Sequence, residues 1–203
     1  MNIRCLPIDG TNCYVLWDDE KDAVILDPAG ETQTILAFVN EQQLRVHSVV
    51  LTHAHFDHMM AAEAVCAAFN TPLLVGAGDV ETLSNPRLNL SAVFLTDVSL
   101  SLTCDGVLRD GDHLSVGKES LTVWETPGHT DGCLCFLGDG VVFTGDTLFY
   151  GSIGRLDFPT GDEEAMTRSL ARLMTLPPNM VVYSGHGPTT TIGRERLQNP
   201  YLR

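Results

Sequence analysis

Positive charge is scarce in this chain: 12 Lys and Arg stand against 26 Asp and Glu, a formal net charge of −14 over 203 residues. No basic stripe relieves that balance, and a polyanion needs a positive footprint on some face, so a nucleic-acid partner is excluded. Long apolar runs are missing too. None approaches membrane-spanning length, and Met1 to Pro7 lacks the apolar core of a signal peptide, so a soluble, cytoplasmic protein without a membrane partner is expected. The six cysteines form no C-x-x-C pair and no dense framework, which argues against a disulfide scaffold and leaves reduced thiols as the expectation. There is no low-complexity segment and no Gly-, Ser- or Pro-rich linker, so residues 1–203 are expected to form a single domain.

What the chain does have is histidine in an unusual arrangement. The apolar run Val49-Val50-Leu51 empties through Thr52 into His53-Ala54-His55-Phe56-Asp57-His58. Imidazole and carboxylate suit zinc, iron or manganese, and a loop leaving a buried strand end can aim several of them at one point. If the segment stays extended, alternation sends His53, His55 and Asp57 to one side, while His58 turns toward a second ion nearby. Further candidates follow short apolar runs of the same kind: His129 after Leu121 to Trp124, Asp146 after Val141 to Phe143, and His186 after Met180 to Tyr183. A lone Gly-His or Gly-Asp turn is ordinarily structural. Repetition of the pattern behind several strands makes a joint site the better reading, because loops on a rigid scaffold are where such sites are built. His47, within a strand-like run, and His113, in a turn, are read as structural or exposed.

In chain order, residues 2 to 8, 12 to 17 and 23 to 27 are short β-type runs, and Glu31 to Gln43 has helical spacing before the strand Val46 to Leu51. Strand, helix and strand make a β-α-β step whose right-handed crossover delivers the first cluster to a strand's carboxyl end. Ala61 to Phe69 has strong helix formers, and Met59 and Met60 are read as core. Thr71 to Val75 is a strand, while 76–105 has no clean period and no assigned role. A second β-rich half begins at Val107. Glu163 to Leu176 is an amphipathic helix stopped by Pro177-Pro178. Two halves of β-meander plus helix predict an α/β protein of four layers, an αββα sandwich, with the site along the edge where the sheets meet.

The sequence T-H-A-H-F-D-H, then P-G-H-T, G-D-T-L-F and finally G-H-G resembles the metallo-β-lactamase fold, and within it the glyoxalase II group and its short bacterial relatives. Carried over residue by residue, the resemblance assigns His53, His55 and His129 to one metal, Asp57, His58 and His186 to another, and Asp146 to a bridge between them. The two carboxylates, Asp57 and Asp146, are the expected catalytic residues. Two divalent ions are implied, zinc first, with iron or manganese suited by the same donors. A shared hydroxide of lowered pKa would attack the carbonyl of a small-molecule thioester of the hydroxyacylglutathione type, S-lactoylglutathione being the natural substrate to expect.

The chain departs from full-length glyoxalase II in lacking a C-terminal helical extension. Arg155 falls where the family sets a cation toward a glutathione carboxylate, and is the expected substrate-binding residue; Asp157 stands where the full-length enzymes have tyrosine. A salt bridge from Arg155 to Asp157, or to Asp162 and Glu163, is the competing reading. G-R-x-D-F at Gly154 to Phe158 is also similar to persulfide dioxygenases, which would need one iron held by His53, His129 and Asp146. Lactone, ester or β-lactam hydrolysis would use the same centre, and a cytoplasmic location argues against the last. A structural metal domain fits less well, because structural sites are closed with four ligands.

Overall fold

The computed structural model describes residues 1–96 and 98–202. The chain opens with antiparallel strands β1 (Asn2–Ile8), β2 (Thr11–Trp17) and β3 (Asp22–Leu26). Helix α1 (Thr32–Glu41) crosses to β4 (Arg45–Val50), which runs parallel to β3. The short α2 (Phe56–Met59) and α3 (Ala62–Phe69) lead to β5 (Leu73–Gly76), and α4 (Val80–Ser84) and α5 (Ser91–Phe94) lead to β6 (Gly106–Leu108). These strands form a six-stranded sheet in sequence order. The second sheet, also six-stranded, runs in sequence order through β7 (His113–Val116), β8 (Glu119–Glu125), β9 (Leu134–Gly138), β10 (Val141–Gly145), β11 (Val181–Ser184) and β12 (Thr190–Thr191). Helix α6 (Glu163–Leu173) connects the parallel pair β10 and β11, and α7 (Ile192–Gln198) follows β12.

Strand alternation sorts the apolar residues into three layers of core, and three cores between packed elements mean four layers of structure. Cys13, Val15, Ala23, Ile25 and Val49 pack outward with Ile35 and Val39 of α1 and Ala62 and Val65 of α3. Their neighbours Tyr14, Leu16, Val24, Leu26 and Val50 point the other way, against Leu121, Val123, Leu134, Phe136 and Phe143 of the second sheet. Cys135, Val142 and Val182 face out from that sheet onto Met166, Leu170 and Leu173 of α6. Inner strands such as β2, β3 and β10 are covered on both faces and read as continuous apolar runs, whereas β1 and β7 alternate. The expected αββα sandwich is observed.

Several expectations are corrected. The stretch after His55 does not stay extended: Phe56–Met59 is a helical turn, with the amide of His58 donating to the carbonyl of His55 at 3.1 Å. Val107 belongs to β6, parallel to β5, so the first sheet extends past the point at which the second half was expected to begin. Met59 is fully buried in core, as expected, but Met60 is exposed. The edge strand β12 and helix α7 carry too few apolar residues to show in the pattern; Thr191 caps α7 by accepting from the amide of Arg194. No helix among the described residues is long and apolar enough to cross a membrane.

Candidate metal centre

Each candidate donor follows a strand. His53 and His55 leave β4, with Asp57 and His58 on the turn α2 just beyond; His129 follows β8, Asp146 follows β10, and His186 follows β11. Hydrogen bonds to backbone carbonyls hold these loops against one another. The amide of Leu134 donates to Thr52 O at 2.8 Å, the amide of Asn12 to Gly185 O at 2.7 Å, and Tyr14 Oη to Ser184 O at 2.7 Å. Gly185 must be glycine at such a junction, because a Cβ there would collide with Asp146 Oδ1 and lie 2.7 Å from His58 Cε1.

The donors converge as the sequence predicts. His53, His55 and His129 bring one nitrogen each within 4.8 Å of one another, and so do the donor atoms of Asp57, His58 and His186. Asp146 lies between the groups: Oδ2 is 3.5 Å from His129 Nε2 and 3.4 Å from His186 Nε2, while Oδ1 is 3.4 Å from His58 Nε2. His53 and His58 are also grouped with Asp146.

The far nitrogens of His53, His58, His129 and His186 are already engaged, which fixes what those rings present inward, whereas His55 Nε2 is buried without a partner. His58 Nδ1 is 3.0 Å from Asp27 Oδ2, His129 Nδ1 is 2.8 Å from Arg155 O, and His186 Nδ1 is 2.8 Å from Gly10 O. Thr52 Oγ1 donates to Asp27 Oδ2 at 2.7 Å and so faces His53 Nδ1, 3.2 Å away, with its lone pairs. His55 is turned the other way round, with Nδ1 inward and 2.8 Å from His129 Nε2.

Electrostatics divide the donors into two kinds. Burial, reinforced by the charge of His58, holds His53 well below the ordinary histidine range, and burial with His129 nearby holds His55 at about 3. Burial also opposes a proton on His58 and His186, but the carboxylates outweigh it: Asp146, Asp57 and Asp27 hold His58 well above its ordinary value, and Asp146 with Asp57 raises His186 to about 10. In turn, burial opposes ionisation of Asp57 and is overcome by His58 and His186, which bring it to about 2; Asp146 is lowered the same way.

This donor set fits metal ions. His53 Nε2 and Asp146 Oδ1 are buried without a hydrogen-bond partner, a costly arrangement unless a cation meets their lone pairs. Nitrogen and oxygen donors with no cysteine suit zinc, iron or manganese alike.

The model of the metallo-beta-lactamase superfamily matches residues 6–186. The chain belongs to that superfamily. Similar members include the hydroxyacylglutathione hydrolase GloC of Haemophilus influenzae, 34% identical over 100% of this chain and 98% of the relative. Among solved structures, the BLEG-1 B3 metallo-beta-lactamase is 36% identical with a TM-score of 0.93, covering 99% of each chain. A di-iron-bound form of TTHA1623 is 34% identical with a TM-score of 0.87, covering 100% of each chain. For a superfamily member the cluster of histidines and aspartates is the natural metal site, and hydrolysis is the reaction class.

Arg155 lines the cavity over this centre, but its guanidinium is paired bidentately with Asp157, Nε to Oδ1 at 2.9 Å and Nη2 to Oδ2 at 2.7 Å, and stacks 4.4 Å from the centroid of Phe158. His47 is exposed, 2.6 Å from Asp22 Oδ1, and His113 is exposed on β7, so both stand outside the centre as expected. Two buried carboxylates were not anticipated. Asp27 accepts from the amide of Thr52 at 2.7 Å besides meeting His58, and Asp79 accepts from the amides of Ala54 and Gly132 and from Thr130 Oγ1. Asp79 thereby ties the first histidine loop to the loop carrying His129. The available signal was an acidic residue placed directly after a buried strand, Leu26 before Asp27 and Val75-Gly76 shortly before Asp79.

Proposed function

We propose that this chain is a binuclear metal-dependent thioester hydrolase for small acyl thioesters, including the hydroxyacylglutathione type. The observation that carries the reading is Asp146, a buried carboxylate whose two oxygens face His129 and His186 on one side and His58 on the other. In this reading His53, His55 and His129 hold one ion, Asp57, His58 and His186 hold the second, and Asp146 is shared. Bound there, two divalent ions would supply Lewis acidity and a water of lowered pKa.

The protein's own contribution is orientation and exclusion of water. Asp27, Thr52, Arg155 O and Gly10 O fix the rings by their far nitrogens, so little reorganisation remains when substrate arrives. A thiolate leaving group has a pKa near that of free cysteine, about 8.5, so it departs without a strong general acid. That agrees with the cavity, where Arg155 is the one titratable lining residue beyond the donors among the described residues. The likeness to the GloC relative supports a glutathione-linked thioester, and Arg155 is the cation suited to a carboxylate of the carrier once Asp157 yields it.

The presence of Asp57, His58 and His186 around a second position favours this reading over a single-iron persulfide dioxygenase, which needs only His53, His129 and Asp146. Zinc is the first metal to test, and the di-iron relative keeps iron in view. The test is turnover of S-lactoylglutathione by metal-loaded protein, run beside a β-lactam and beside oxygen uptake on glutathione persulfide. Thioester hydrolysis with neither of the others is the expected result; turnover of only the lactam or only the persulfide would replace the reading.

A further inference from the structure

The cavity above the donors is about 300 Å³, room for about ten waters. Apart from the donor residues and Arg155, the described residues that line it are apolar: Phe56, Leu90, Phe94, Phe149, Ile153 and Phe158. Among the described residues, no hydroxyl or amide side chain lines it. Phe56 and Phe94 stack at 5.8 Å with planes 19° apart, and Phe94 meets Phe158 edge-on at 6.2 Å. The guanidinium of Arg155 is already paired with Asp157.

This wall is built rather than incidental. Phe94, on α5, is 52% exposed, with its ring packed against Phe56 and Phe158 at the cavity. The segment carrying them is pinned from within: the fully buried Asn89 donates through Nδ2 to Leu100 O at 2.8 Å and accepts from the amide of Ser91 at 3.0 Å, and Ser91 Oγ accepts from the amide of Leu100 at 2.9 Å. Asn89 O also receives the amide of Phe56 at 2.9 Å, which couples the segment to the turn between His55 and Asp57. Leu90, whose side chain reaches the cavity, is held at φ 68°, a left-handed conformation uncommon for leucine, and strain of this kind gathers where a side chain must be presented to a ligand.

We infer that the aromatic wall formed by Phe56, Phe94 and Phe158 selects thioesters with an apolar acyl group, an unsubstituted alkyl or aryl chain in preference to a hydroxyacyl one. The inference rests on the thioester reading above. An α-hydroxyl carried into this cavity would lose water and find no side-chain partner along the wall, whereas each methylene buried there gains about fourfold in binding.

Two measurements test it. The first is the affinity of the metal-free protein for the thioethers S-methyl- and S-hexylglutathione by calorimetry, which needs neither metal nor turnover. The second is kcat/KM of the zinc-loaded protein on lactoyl, acetyl and hexanoyl thioesters of glutathione. The hexyl thioether should bind at least about fiftyfold more tightly than the methyl one, and hexanoyl should exceed lactoyl in kcat/KM. Phe94→Ala should cut the hexyl-over-methyl ratio about tenfold, and Phe94→Leu should restore part of it. Equal affinities, or lactoyl preferred over hexanoyl, with thioester hydrolysis intact, would overturn the inference and leave the hydrolase standing. Preferred hexyl binding with no thioester hydrolysed would overturn the hydrolase reading while supporting an apolar ligand for the wall.

Discussion

The two donor groups on either side of Asp146 differ in what they hold when no metal is considered. His53, His55 and His129 are buried, and His53 and His55 are kept neutral far below physiological pH. Across Asp146, His186 and Asp57 have side chains 33% and 31% exposed, and His58 and His186 carry protons that balance Asp27, Asp57 and Asp146. His53 and His55 therefore meet a cation at neutral pH without giving up a charge; the second group must exchange protons for one. Metal uptake at the two positions should differ in pH dependence and in sensitivity to the residues behind the rings.

The largest effect expected is that of Asp146→Ala, which removes the residue common to both groups. Turnover should fall more than about a thousandfold and metal content should drop at both positions, read by rate and by elemental analysis together. Retained turnover with the metal lost would break the account. Asp27→Ala should separate the groups: it frees His58 Nδ1 and should weaken the second ion about tenfold to a hundredfold while the first is held nearly as before. Competition with a chelator reads the two affinities in turn.

The protons give a third way to sharpen the comparison. His186 has its pKa raised from the ordinary 6.5 to about 10, so its charge stabilises the metal-free protein fully below pH 6.5, and that contribution is lost as pH rises through about 10. A metal ion competes with this proton, so affinity at the second group should rise with pH across that window, and uptake at pH 7 should release protons. Titration calorimetry in buffers of different ionisation enthalpy measures the release; identical heats in all buffers would remove the distinction between the groups. The smallest effect concerns scaffolding. Asp79→Asn sets an amide against the donors of Ala54, Thr130 and Gly132 and should cost about 1–3 kcal/mol in denaturant unfolding, with little change in metal stoichiometry of the folded protein.

The candidate donors were legible in the sequence because each lies in the loop or turn that follows a strand whose apolar run is itself visible. The geometry between them was less so. Alternation predicted Asp57 on the side of His53 and His55, but the amide of Phe56 is taken by Asn89 O, over thirty residues away in sequence, and the chain turns into α2 there. Asp27 looked like the end of a strand before Pro28, because nothing local tells a capping aspartate from one that receives a histidine proton. Residues 76–105 showed no period for a related reason. Side chain to backbone bonds from Asn89 and Ser91 hold this segment together, and such bonds leave no trace in hydrophobic spacing.

The central claim is that one chain holds two ions around a shared Asp146. Elemental analysis of protein saturated with zinc and freed of excess metal, repeated on Asp57→Ala, tests it most directly. The account predicts two ions per chain for the unaltered protein and one for the variant; a single ion in both would contradict it.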